Sequence, residues 1–151
     1  MAALAELSLT PAHRLSVDVT PFTDWPLLAT PLPSGSPIPA DDRIEQRLSL
    51  DHHLVRIPEA TFLVRVTGDH LTEAGIHDGD LVVMDRAIPA TEGSVVLALM
   101  EDAFQIAQVS SDADGQRVLC AADGGHWPLE EIVIVGVARW AVHRLWPTRH
   151  R

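Results

Sequence analysis

Short apolar runs, each closed by glycine or aspartate, constrain this chain more than any other feature of its sequence. Residues 61–66, 81–84, 94–100, 103–109, 117–120 and 132–137 read as strands. The alternation in residues 139–145 extends the last of them. Gly79 and Asp80 introduce the second run, Gly93 starts the third, and the Glu101-Asp102 turn folds the third and fourth into a hairpin. The longest strongly apolar run, residues 132–138, is far too short to cross a bilayer. The fold class expected is mainly β: a curled, partly barrel-like sheet preceded by an extended N-terminal arm.

Seven of the eleven prolines fall in the first forty residues. Proline lacks a backbone donor and fixes φ, so no long helix or regular strand is expected there. The segment Pro31-Leu-Pro-Ser-Gly-Ser-Pro-Ile-Pro39 reads as exposed and extended. Phe22, Trp25, Leu27 and Leu28 are apolar anchors that imply docking. Residues 41–48 read as a short helix or an irregular entry. The expected organisation is an arm over 1–40, a β domain over 41–146 and a basic tail over 147–151.

Composition removes several kinds of chemistry. All eleven basic residues are Arg, so no lysine base, Schiff base or P-loop lysine exists. The chain has no Tyr, and the single Cys120 excludes an intrachain disulfide and a multi-cysteine zinc site. A net charge of −10 argues against direct nucleic-acid binding. The charge is uneven: residues 41–138 hold six Arg against eighteen acids, whereas residues 139–151 hold four Arg, two His and no acid. That basic end reads as a solvated tail or as a contact with an acidic partner or second subunit. The first residues lack a basic targeting segment, so a soluble, cytoplasmic protein with no membrane contact is expected.

Residues 58–85 carry the most specific pattern. Gly68-Asp69 ends a strand in a sharp turn, and Gly75, Gly79 and Asp80 make further tight turns. Such a loop presents residue 70 at the mouth of a groove. This stretch resembles UmuD and the C-terminal domains of LexA and phage repressors, in the LexA/signal-peptidase superfamily. The family pattern runs roughly P-x-A-x-x-x-V-x-x-x-G-D-S-M-x-x-x-G-I-x-x-G-D-L-x-x-V-D. The resemblance extends upstream through Ile44-Glu-Gln-Arg-Leu48, where UmuD reads VEQRI, and covers roughly residues 34–145.

The resemblance implies a serine nucleophile at position 70 and a lysine base on the following hairpin, together cutting the protein's own arm. Here His70 stands at the serine position and Ala107 at the lysine position. Ser34-Gly35 occupies the place of the scissile Cys-Gly bond. The expectation is therefore a pseudo-peptidase that needs no cofactor. His70 as a base for Thr67, Thr72 or Ser94 is the enzymatic alternative, a self-cleaving or trans-acting protease. No metal is expected from His52, His53, His70 and His77, since adjacent histidines on a strand face opposite ways and no HxH or HExxH spacing occurs.

The resemblance further implies a dimer through the C-terminal strand, with Trp140, Val142 and Arg144 as interface candidates. It implies an accessory protein that binds and regulates an error-prone Y-family DNA polymerase in translesion synthesis and the SOS response. Expected partners are a second copy, that polymerase, the RecA filament or an active UmuD paralogue. A transcriptional regulator working through a separate DNA-binding partner has no support beyond the shared repressor fold.

Overall fold

Antiparallel pairing organises the chain, which a computed structural model describes over residues 24–40 and 43–147. Phe22 and the tail beyond residue 147 lie outside those residues. Contacts divide the chain into two units that meet between Leu54 and Val55.

In the first unit, β1 (Asp24–Leu28) pairs with β2 (Ile44–Ser49). The short helix α1 (Leu50–Leu54) follows. These elements correct three expectations. A strand forms in the proline-rich arm because Pro26 lies in a two-stranded ribbon, where its missing N–H need not break a central ladder. Residues 44–49 are strand rather than helix, since β1 supplies their partner. By its contacts the first unit runs on through α1 to Leu54. His52 and His53 sit on that helix, not on a strand. Trp25 remains 50% exposed, and Leu27 and Leu28 are also exposed. Ser34 and Gly35 form an exposed turn, with φ of 83° at Gly35.

The second unit is an open seven-stranded antiparallel sheet ordered β3-β4-β9-β5-β6-β7-β8. Its strands are β3 (Thr61–Arg65), β4 (Leu81–Asp85), β5 (Val95–Met100), β6 (Ala103–Ser111), β7 (Arg117–Cys120), β8 (His126–Pro128) and β9 (Val133–Val142). The mainly β domain is the one expected, with the sheet left open rather than closed into a barrel. β3 and β8 are its edges. Val96, Ala98, Ala107, Val109, Leu119 and Val137 form a buried cluster over the middle strands. Cys120 is half-buried in β7 as a free thiol.

β9 holds the sheet together because its first half pairs with β5 and its second half with β4. Gly136 lets it pass over Phe62. A Cβ at that position would lie 2.9 Å and 3.0 Å from two carbons of the ring. Phe62 is itself buried beneath the Arg86 guanidinium, 4.9 Å from the ring centre, and has little room to yield. Gly136→Ala is expected to cost about 1–3 kcal/mol through overpacking. Urea unfolding midpoints check this, and an unchanged midpoint rules it out.

Asp85, also buried, ties the entry of this unit to β4. Its carboxylate accepts the Ala87 N–H at 2.7 Å and pairs with Arg56 at 3.4 Å.

Candidate functional site

The loop from Val66 to Asp80 is fixed by its own polar groups. Gly79 N–H donates to Val66 O at 2.8 Å, and Val66 N–H donates to Asp80 O at 2.9 Å. The Asp78 carboxylate accepts the Gly68 N–H at 2.8 Å, and Asp69 Oδ1 accepts the Asp78 N–H at 3.4 Å. Gly68 adopts φ of 92°, a left-handed conformation that glycine takes without a Cβ penalty. The chain reverses there and leaves His70 exposed.

His70 lines a cavity of about 320 Å³ with Thr67, Gly68, Leu71, Phe104, Gln105, Ile106 and Ala122 among its walls. The groove predicted at position 70 is thus present, and β6 forms its far side. Ala107 follows directly on β6, on the same strand face as Gln105, but is not among the residues that line the cavity. It is 1% exposed, opposite Val96 and packed in the main cluster. Of the three hydroxyl candidates, Thr67 alone shares this cavity. Thr72 Oγ1 donates to Asp69 O at 3.3 Å. Ser94 Oγ accepts the Thr91 N–H at 3.0 Å and faces a different cleft. Among the described residues no carboxylate lines the His70 cavity to orient the imidazole. Gln105 and Ala122 were not anticipated as lining residues, because β6 alternation and a distant loop place them there.

The three interface candidates sit at the end of β9. Trp140 is 38% and Val142 48% exposed, and Arg144 lies exposed just beyond the strand. Residues 138–142 pair with β4 on one side. Ladder pairing with β5 stops at Val137, and beyond it a cleft of about 240 Å³ opens between Ala138–Ala141 and Gly93–Val95.

A second polar cluster lies at the other end of the same loop. Asp80 is buried and accepts the His77 N–H at 2.8 Å, while His143 Nδ1 lies 2.6 Å from its other oxygen. Burial, the largest influence on Asp80, raises its pKa. The hydrogen bonds from the His77 backbone and the His143 ring, with the attraction of both imidazoles, outweigh burial and leave the carboxyl below its ordinary value. A lowered folded pKa means that this contribution to stability is complete above the unfolded pKa of about 3.9 and fades as pH falls through the folded value. Asp80→Asn should therefore flatten the acid loss of stability. Denaturation curves at pH 6 and pH 3 that keep the same difference in wild type and variant would refute it.

With this geometry in view, relationships to known proteins become informative. The Peptidase S24-like family matches residues 26–137. SamA of Salmonella typhimurium is 34% identical over 122 residues, covering 79% of this chain and 85% of its own length. ImpA of Escherichia coli is 33% identical over 129 residues, covering 79% of this chain and 83% of its own. MucA of Escherichia coli is 40% identical over 73 residues, covering 48% of this chain and 50% of its own. The chain belongs to the Peptidase S24-like family, as a UmuD-like protein.

Proposed function

We propose that this chain is a UmuD-like accessory protein that does not cleave peptide bonds, forms dimers, and binds and regulates a Y-family DNA polymerase during translesion synthesis. Family membership supports a UmuD-like role in SOS mutagenesis. The observation that carries the non-cleaving part is the pair of residues at the two dyad positions. Where the resemblance calls for a serine there is an imidazole, and where it calls for a lysine there is the buried methyl of Ala107. An acyl-transfer site needs an activated nucleophile and a base within hydrogen-bond reach.

A protein of this kind keeps its arm and stays in one state. It acts on the polymerase constitutively, paired with itself or with an active paralogue, and the RecA filament has no cleavage to trigger. In this reading it is cytoplasmic. Among the described residues no helix is long and apolar enough to cross a membrane.

The second reading, a rewired protease, has one observation in its favour: Thr67 and His70 line one cavity. Among the described residues the cavity offers it no third group to orient His70 as a base.

The polymerase reading is tested by titrating the labelled full chain with purified Y-family polymerases and following fluorescence anisotropy. Saturable binding to at least one of them at micromolar concentration is expected. No binding to any, with a replicative polymerase bound equally well, overturns it.

A further inference from the structure

The second polar cluster has no part in the reading above. Its position follows from the register of the sheet. Leu81 lies opposite Val142 in the β4–β9 ladder, so the antiparallel run sets Asp80 against His143 just past the ends of both strands. His77 is three residues before Asp80, in the turn closed by Asp80 N–H donating to His77 O at 3.1 Å. The two imidazole rings lie 4.6 Å apart, centre to centre.

His77 Nδ1 is shielded from solvent and makes no hydrogen bond, at 3.7 Å from the nearer Asp80 oxygen. Leaving such a group unsatisfied costs about 1–3 kcal/mol. It lies beside a buried carboxylate and a second imidazole, and one donor atom from each of the three residues falls within 4.8 Å of the others.

We propose that His77, Asp80 and His143 bind one borderline divalent transition-metal ion, with zinc the representative case. Two imidazole nitrogens and a carboxylate oxygen are the donor set that such ions take, with a fourth position left for water. Metal–ligand bonds of about 2.0–2.2 Å require donors roughly 3–3.5 Å apart. The 2.6 Å contact must open and the 3.7 Å separation must close slightly. Both imidazoles have that freedom, with side chains 45% exposed at His77 and 41% at His143, while the carboxylate is held in place.

A cavity of about 320 Å³, lined by Arg65, Asp78, Gly79, Asp80, His143, Arg144 and Trp146, gives access. Its two guanidiniums and its shortage of oxygen donors disfavour calcium and magnesium, which need several oxygens. They are compatible with an ion held largely by neutral imidazoles. The bound ion ties the exit of β9 to the turn that enters β4. This inference does not depend on the polymerase reading.

The test uses the purified full chain, stripped with a chelator and titrated with zinc chloride in a non-coordinating buffer. Isothermal calorimetry should give one zinc per chain, and saturating zinc should raise the thermal midpoint. Even a residue that only orients a metal ligand contributes about 10–100-fold in affinity, so His77→Ala and His143→Ala should each lose at least that much. His143→Gln keeps a polar group for Asp80 without an imidazole. It should fold as wild type by circular dichroism and still lose the affinity. His52→Ala with His53→Ala should leave binding intact. Cobalt should give visible d–d bands that the His143→Gln protein lacks. No binding by the wild type, or wild-type affinity retained in the His77→Ala, His143→Ala double variant, overturns the proposal. So does binding that disappears with His52 and His53.

Discussion

Replacing Trp140 and Val142 together with glutamate is expected to turn a dimer into a monomer. Residues 138–142 have β4 on one side and a cleft on the other, and the dimer reading seats a second copy over that cleft across a two-fold axis. Trp140 and Val142 supply apolar surface at the end of β9. Fully burying side chains of this size contributes roughly 1.5–3 kcal/mol each, and with 38% and 48% of their surface left to bury, losing both weakens association by about 10–10²-fold. Burying a glutamate in their place adds to the loss. Arg144 differs: it is exposed, and an exposed ion pair to the acidic face of a mate contributes about 0–1 kcal/mol and is screened by salt. Arg144→Gln should therefore shift the dimer equilibrium only slightly. Sedimentation equilibrium checks both variants. A wild-type chain that sediments as a monomer at micromolar concentration rejects the dimer.

The strands were legible wherever a run of apolar or β-branched residues ended at a glycine or aspartate turn. Arg117–Cys120 matches its expected bounds, and the Glu101-Asp102 turn does join β5 to β6. The first unit was less legible because its pairing is not local: β1 and β2 have little apolar alternation, and each becomes a strand through the other. β8 has three residues, too few to show a period.

The loop that presents His70 was readable from its glycines, whose φ values of 92°, 84° and 85° at Gly68, Gly75 and Gly79 bear out the tight turns. The cluster of His77, Asp80 and His143 was not. His143 lies 63 residues after Asp80, and only the register of β9 on β4 brings them together. Ligand spacings within one segment carry no trace of such a juxtaposition.

The largest effect expected is the absence of self-cleavage, together with the conditions for restoring it. His70→Ser alone should remain inert, since none of the described residues lining the cavity can take the hydroxyl proton. Ala107→Lys must fit a long side chain into a position now 1% exposed, at an overpacking cost of about 1–3 kcal/mol. The double variant His70→Ser, Ala107→Lys is the one combination expected to regain cleavage, and its folding is checked by circular dichroism. The decisive measurement is the intact mass of the wild-type chain after incubation with activated RecA filament and, separately, at alkaline pH. A single unchanged mass is predicted under both conditions, and a fragment beginning at Gly35 would contradict the non-cleaving role.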